Sequence, residues 1–413
     1  MATATASRGP SGALLIITAT GLAGIAGYVV TWLVYRNAGP AAYAAFAIFW
    51  SAQFVIVGGL SGVQQEITRA TRAIEKGSSP IASRARAFGI VASLGIAVLI
   101  IVTSPFWQHY VFPDEGWALV WPLALGAGSY VLVATLCGSL YGVAQWRSLA
   151  LMLVVDSVLR LALVGVGNAL GLGIVALAWA VAVPFGLTIV LLWPLMRGGL
   201  VGRTQLDVGY RAVSWNVART VGASLSTAVL VSGLPLLLRL VSGDIDEALL
   251  GELIFTITLT RAPLIVTVMS LQSLLIVRFR DFPASAGRSL LVVISAIVAS
   301  AAILAALGWW LGPFVLELVS GHPTRIDGAL IAVIVVSSGV IAALCATGAA
   351  VLAAGRHVLY LFGWVLAAVV TVGILVTPLD FLVRVGAACI AAPLAGIAMH
   401  AGWLIARSRQ GAV

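Results

Sequence analysis

Long apolar runs succeed one another along the whole chain, and they limit what it can fold into more than any other feature. Ser11 to Val34 passes without a charged residue, and similar runs recur to the C-terminus. About 20 apolar residues coiled as a helix match the ~30 Å hydrocarbon core of a bilayer. In lipid every backbone N–H and C=O needs a partner inside the chain, which leaves only helices or a closed barrel. A barrel would read as segments of about 10 residues with alternating polarity, and the sequence has none. Composition agrees: 61% of residues are hydrophobic and 9% charged, against about 25% charged in a soluble domain. The expectation is an all-α polytopic membrane protein. The first run is too long for a signal-peptide core and lacks a clear cleavage site, so it reads as the first membrane helix.

The runs predict twelve spans, at 12–34, 43–65, 87–105, 118–141, 149–167, 173–195, 213–238, 249–276, 289–311, 328–353, 359–377 and 382–405. The net charge of +9 would suit nucleic acid, but basic residues also collect in cytoplasmic loops. With both termini in the cytoplasm, sixteen Lys and Arg fall inside, and Arg36, Arg239, Arg325 and Arg384 fall outside. Arg160, Arg219 and Arg261 remain within spans. Acidic residues lean outward, among them Asp114, Asp246, Glu252 and Asp380. The expectation is therefore a multi-pass plasma-membrane protein that binds no nucleic acid. No loop is long enough to fold as a catalytic domain, so no enzyme activity is expected. Cys137, Cys345 and Cys389 lie in apolar segments without metal-ligand spacing, and no metal or cofactor is expected.

The chain also divides into two halves of six spans, 1–200 and 201–413, joined by the polar, Gly-rich stretch Met196–Ala212. "LCGSLYGVAQWRSL" (136–149) and "LCATGAAVLAAGRHVL" (344–359) echo each other across the halves. Internal repeats of this kind are common in transporters, whose sites lie near the membrane midplane.

An ionisable residue at the centre of a span is unfavourable by about 2.5–3.5 kcal/mol on insertion scales. Arg261 stands in "FTITLTRAPLIV", beside three threonines and two residues before Pro263, which is expected to kink the helix. It reads either as an anion-binding group facing a water-filled cavity or as a buried ion-pair partner. Arg219 can line the same cavity or snorkel to the cytoplasmic surface. Asp156 and Arg160, four apart, share one helix face and form either a self-neutralising pair or part of the site. Glu66 and Arg69 close the second span, as an interfacial anchor or as a cavity mouth with a titratable carboxylate. Several arginines and few carboxylates at membrane depth suit an anionic substrate, because Arg binds phosphate in bidentate fashion.

The stretch "YRNAGPAAYAAFAIFWSAQFVIVGGLSGVQQEITRAT" (35–71) resembles the opening of polysaccharide-biosynthesis flippases of the multidrug/oligosaccharidyl-lipid/polysaccharide exporter superfamily. The matching positions are Arg36, Gly39, Pro40, Tyr43 and Phe46, then Gly62, Glu66 and Arg69. Ala45 departs from the usual Gly or Leu. Residues 140–173, with Asp156 and Arg160, resemble the fourth-to-fifth helix region of that family. The resemblance is clearest over the first 200 residues. It implies two six-helix bundles in a V, alternating access, and flipping of polyprenyl-pyrophosphate-linked oligosaccharide. Twelve spans point to the Wzx-type flippases rather than the lipid II flippases, which usually have fourteen. Arg261, Arg219, Arg160, Arg36 and Arg69 would then hold the substrate, Glu66 or Asp156 would couple an ion, and a glycan polymerase or glycosyltransferases would be partners. Two rivals remain: a multidrug or cation antiporter of the same superfamily, and a non-transporting scaffold of a glycan assembly complex. A major-facilitator transporter is disfavoured, because the loop after the second span lacks that family's acidic, Gly-Arg motif.

Overall fold

The computed structural model describes residues 10–73, 85–201, 204–243, 245–282 and 285–410. In chain order the elements are α1 (Pro10–Ala70), β1 (Thr71–Ala73), α2 (Ala85–Val111), α3 (Trp117–Gly142), α4 (Trp146–Ala169), α5 (Ile174–Leu200), β2 (Thr204–Leu206), α6 (Tyr210–Ser232), α7 (Leu234–Val241), α8 (Glu247–Asp281), α9 (Ala286–Ser320), α10 (Gly328–Ala353), α11 (His357–Leu375) and α12 (Phe381–Gln410). The protein is an all-α polytopic membrane protein. Among the described residues nine helices are long and apolar enough to cross a membrane, or ten if the broken pair α6–α7 is one span. The difference from twelve has local causes. Spans 12–34 and 43–65 share α1, 213–238 runs across the α6–α7 break, and 249–276 falls on α8, which is not among the nine. The N-terminal tail with Arg8, the loop with Lys76 and Arg84, Arg203, Asp244 and the extreme C-terminus lie outside the described residues.

α1 is two arms. Gly39 (φ 82°, ψ 170°) leaves helical geometry, where a side chain would be strained, and Pro40 follows it without an N–H to donate. A Cβ placed on Gly27 would sit 3.8 Å from the Trp50 ring. In a straight helix these residues would be about 35 Å apart, so the chain doubles back at Gly39.

The packing separates two units, Met1–Ala38 with Ala45–Leu236, and Gly39–Ala44 with Leu237–Val413. This division places α6 with the first unit. The reason is contact: α6 packs tightly on the second arm of α1. A Cβ on Gly62 would lie 2.5 Å from the Thr220 and Val221 backbone, and one on Gly58 would lie 2.6 Å from the Ala228 side chain. Only small residues permit such an approach. Below this contact β1 pairs antiparallel with β2, Arg72 opposite Gln205.

In the first unit the most enclosed helix is α3, and in the second α10. Both are apolar around their whole circumference, as a helix surrounded by other helices requires. Both end in the same motif. Gln145 N–H bonds to Leu140 O and Ala144 N–H to Tyr141 O, and Arg356 N–H bonds to Val351 O and Gly355 N–H to Leu352 O. The residue at the left-handed turn is Ala144 (φ 56°) in one and Gly355 (φ 74°) in the other. This glycine-type C-cap accounts for the sequence echo. It also ends α4, at Gly171, so the echo by itself marks a helix end rather than a repeat.

One side chain holds the break between α6 and α7. In a continuous helix Leu236 N–H would donate to Ser232 O, four residues earlier. Ser51, from α1, stands between them instead. Its hydroxyl donates to Ser232 O at 2.6 Å and accepts from Leu236 N–H at 3.2 Å. A side chain inserted into the ladder in this way is a recognised cause of a kink. Ser51→Ala leaves a carbonyl and an N–H unsatisfied, and a loss of about 1–3 kcal/mol of stability is expected. The check is thermal unfolding in detergent against Ser61→Ala, whose hydroxyl serves only its own helix, at Gly58 O. Equal melting temperatures for the two variants would refute the wedge.

In the second unit Arg384 plays a related part. Its guanidinium donates to Val241 O at 2.7 Å and to Leu375 O at 3.2 Å, the last carbonyls of α7 and α11, where a cation also meets the negative ends of the helices.

Candidate functional site

The sequence-derived candidates fall into five local settings. Glu66 is buried, 4% exposed. Arg69 grips its carboxylate with two bonds, Nε to Oε2 at 2.8 Å and Nη2 to Oε1 at 2.6 Å. Asn216, on α6, donates to Oε1 at 2.9 Å. Thr220 adds a bond to Gly62 O at 2.9 Å. This polar knot fixes α6 to α1 one turn above the β1–β2 pair. A carboxylate gripped this way is a strong acceptor cluster, not an open side chain.

Asp156 and Arg160 meet on α4 as their spacing predicts. Nη2 of Arg160 bonds both Asp156 oxygens, at 3.1 and 2.8 Å, and Nε donates to Val181 O on α5 at 3.2 Å. The guanidinium also lies over the Phe185 ring at 4.4 Å and the Phe54 ring at 5.4 Å. Arg160 is 8% exposed, and aromatic faces stabilise a cation withdrawn from water. Nε, Nη2 and two aromatic contacts of this guanidinium are thus all made within the first unit.

Arg261 stands differently. It is part-buried on α8 in the second unit, and its described partner is a thiol: Nη2 reaches Cys389 Sγ, on α12, at 3.4 Å. Its Nε is buried and has no hydrogen-bond partner among the described residues. No carboxylate pairs with it among the described residues, and α8 itself carries no Asp or Glu between Glu252 and Asp281. The threonines around it are turned inward on the helix. Thr256, Thr258 and Thr260 donate to the carbonyls of Glu252, Ile254 and Thr256, so they spare their own helix, not a ligand. The expected kink at Pro263 falls among residues 262–274, whose side chains lie outside the description.

Arg219 is exposed on α6 and makes no ion pair among the described residues. Arg36 is exposed on the first arm of α1, with its guanidinium 5.9 Å from the centre of the Trp32 ring. The cysteines Cys137, Cys345 and Cys389 are buried and unbridged.

Glu252 escaped notice in the sequence as a structural group. It is 4% exposed and gathers the α9–α10 turn: Arg325 N–H donates to it at 2.6 Å, Ile326 N–H at 3.2 Å, and the Thr324 hydroxyl completes the set. Beside it the Arg325 guanidinium, and after it the Ala248 N–H, hold the Asp246 carboxyl below the usual carboxylate range. Arg239 pairs with Glu247 nearby in sequence. The outward-leaning acids of this end thus serve as caps and pair partners. No cluster of three or more His, Cys, Asp or Glu able to hold a metal occurs among the described residues.

No protein-family model matches the chain. Among curated proteins it is 32% identical over 394 residues to the uncharacterized protein Rv1510 of Mycobacterium tuberculosis (strain ATCC 25618 / H37Rv), over 94% of this chain and 90% of that one. It is 30% identical over 386 residues to the uncharacterized protein Mb3654 of Mycobacterium bovis, over 93% and 89%. Among solved structures its fold matches a multidrug resistance MATE family transporter of the MOP superfamily in an inward-facing conformation, with TM-score 0.69, 18% identity, and 95% and 96% of the two chains covered. It also matches the lipid II flippase MurJ in an inward closed conformation, with TM-score 0.68, 10% identity, and 95% and 87% covered. A MOP superfamily transporter from Pyrococcus furiosus, described as having a binding pocket of reverse polarity, matches with TM-score 0.59, 16% identity, and 96% of each chain covered.

Proposed function

Because the chain belongs to the family that includes the mycobacterial proteins Rv1510 and Mb3654, and has the fold of MOP-superfamily transporters, we propose that it is a flippase. Its cargo would be polyprenyl-pyrophosphate-linked oligosaccharide, a repeat unit of a cell-envelope polysaccharide. It would cross the plasma membrane by alternating access, with the polyprenyl tail in lipid and the charged head in an aqueous cavity. No bond of the cargo is broken, so no catalytic residue is assigned.

One observation carries this reading. Arg261 keeps a guanidinium on α8, which the sequence reads as a span, with a thiol, not a carboxylate, as its described partner. An uncompensated cation at membrane depth is unfavourable unless something anionic visits it, and a pyrophosphate meets a guanidinium in bidentate geometry. Arg219, exposed and without an ion pair among the described residues, is the second candidate. Arg36 is exposed at the end of the first arm and would meet the cargo at the other side of the membrane. Arg160 and Arg69 are each matched to a carboxylate and would act on the cargo only by giving that partner up. The same pairing speaks against a cation antiporter, since Glu66 and Asp156 are not open to a cationic drug.

The test replaces the cell's own copy with Arg261→Ala or Arg261→Lys and compares membrane protein level, surface polysaccharide and drug susceptibility. With protein at wild-type level, Arg261→Ala is expected to lower surface polysaccharide at least 10-fold and to leave lipid-linked precursor on the cytoplasmic leaflet, and Lys to restore part of it. One lost hydrogen bond to a charged group, about 1.5–3 kcal/mol, is roughly a 10- to 150-fold effect. Unchanged polysaccharide with raised drug susceptibility would overturn the flippase in favour of the drug exporter. Loss of protein in both variants would mean that Arg261 supports the fold, as in the scaffold reading.

A further inference from the structure

α6 has one bound face and one open face. Val213 is buried among side chains of α1, Asn216 donates to Glu66, and Thr220 donates to Gly62 O, so this side is fixed on α1. On the other side Arg211, Trp215 and Arg219 are exposed, Trp215 by 67%. Their spacing of four residues sets them in one stripe along the helix. The two arginines stand about 12 Å apart along the axis, with the indole between them. Among the described residues none of the three has a hydrogen bond, an ion pair or a ring contact. The nearest acid in sequence, Asp207, acts on Arg69.

The open face is not built for acyl chains. Between Tyr210 and Gly222 no exposed position carries Leu, Ile, Val or Phe, and the stripe is flanked by Ser214 and by small residues. α2 shows the contrast: Ile90, Val91, Leu94, Val98 and Val102 are all exposed on it, a surface that lipid solvates. α6 by itself is also not among the helices apolar enough to cross a membrane. The neighbouring edge of α1 is polar as well. Gln65 Nε2 donates to Ser224 Oγ on α6 at 3.2 Å in an exposed bond, and Arg69 is half-exposed. Guanidiniums against lipid tails would be unfavourable. This face is therefore wetted, and its ligand is a polar one.

Two guanidiniums and an indole define the chemistry. The forked Arg side chain binds phosphate oxygens two at a time. An aromatic ring has a negative face, and the C–H face of a pyranose, apolar and slightly positive, lies flat against it. The indole N–H can donate to a sugar hydroxyl. A bare phosphate would leave Trp215 unused, and an apolar ligand would leave both charges unmatched. A sugar joined to a diphosphate engages all three side chains. We propose that Arg211, Trp215 and Arg219 form a binding site for a diphosphate-linked sugar. The arginines hold the diphosphate and any acidic substituent, and Trp215 stacks on the sugar ring next to it. The site rests on the flippase reading and adds to it a place on the first unit where the sugar itself is recognised.

The test uses the full chain in phosphatidylcholine nanodiscs. Two probes, farnesyl pyrophosphate and farnesyl-pyrophosphoryl-N-acetylglucosamine, are titrated and their binding is read by native mass spectrometry. Wild type is expected to bind the sugar-bearing probe about 5-fold more tightly. Trp215→Leu should remove that preference and leave farnesyl pyrophosphate within about twofold of wild type, and Trp215→Phe should keep part of the preference. Arg211→Gln and Arg219→Gln should each weaken both probes about 10-fold. All three side chains are exposed, so the variants are expected to fold. A sugar preference that persists in Trp215→Leu overturns the proposal, as does unchanged affinity for both probes in the arginine variants. So does a loss of retained phosphatidylglycerol, with probe binding intact, when that lipid is added to the nanodiscs; the stripe would then anchor a lipid headgroup. Probe binding lost in Arg261→Ala but kept in every α6 variant overturns this site and leaves the flippase reading standing. A wild-type protein that binds neither probe overturns both.

Discussion

Replacing Asp156 by Asn is expected to destabilise the protein by about 3–5 kcal/mol, the usual result of removing one member of a buried ion pair. The reason lies in what stays behind. Arg160 cannot lose its proton, is 8% exposed, and is hemmed in by Phe54, Phe185 and the Val181 carbonyl. The two rings attract the cation, at about 0.5–2 kcal/mol, and do not replace a carboxylate. Converting both residues to apolar ones, Asp156→Leu with Arg160→Met, should recover most of the loss, since an apolar pair of similar volume is often as stable as the ion pair. Thermal and denaturant unfolding of the purified single and double variants would measure both effects. A single variant within ~1 kcal/mol of wild type would show that water or a lipid headgroup reaches Arg160. The pair would then belong to an aqueous path after all.

The second large effect is expected at Glu252. Its carboxylate receives two backbone N–H groups and a hydroxyl from residues 324–326. Hydrogen bonds to a charged group contribute about 1.5–3 kcal/mol each, and Glu252→Ala removes the acceptor that these donors share, with Ile326 N–H keeping only Thr324 Oγ1. A loss of at least ~3 kcal/mol is expected. Glu252→Gln keeps an acceptor oxygen and should lose about half as much. Limited proteolysis at the 321–327 turn, read beside the melting temperature, separates the two variants. Equal cleavage of wild type and Glu252→Ala would mean that this turn is held by something else. The acid leans toward the outer end of its span, where the sequence suggested a surface charge. Its carboxylate is instead used to order a turn that has few backbone partners of its own.

The sequence conveyed the helices well, because lipid forces the apolar runs and the backbone pairing to agree. Gly39–Pro40 falls in the gap between the first two predicted spans, and few residue pairs disrupt a helix so completely. The Asp156–Arg160 and Glu66–Arg69 contacts were legible because they are local, three and four residues apart. What escaped were the contacts made across the chain. Asn216 reaches Glu66 over 150 residues, and with Gly62 it places α6 in the first unit, although composition put a joint before α6. Cys389 beneath Arg261 and Thr347 beside His400 are equally distant in sequence, at 128 and 53 residues. A cysteine or threonine in an apolar run carries no signal of its partner. Arg261 was singled out by its cost in lipid, but that cost could not say whether a carboxylate would answer it.

The Ser51 wedge has a consequence for how the chain is made. Ser51 and Ser232 are 181 residues apart. At about 5–20 residues per second the ribosome delivers Ser51 into the membrane some 10–35 s before the carbonyl it serves. During that interval its hydroxyl can only turn back on the carbonyls of its own helix, as serines in membrane helices do. The second arm of α1 must therefore remain able to exchange partners until α6 has emerged. The break at Gly233 takes its final shape late, when more than half of the protein is already in the bilayer.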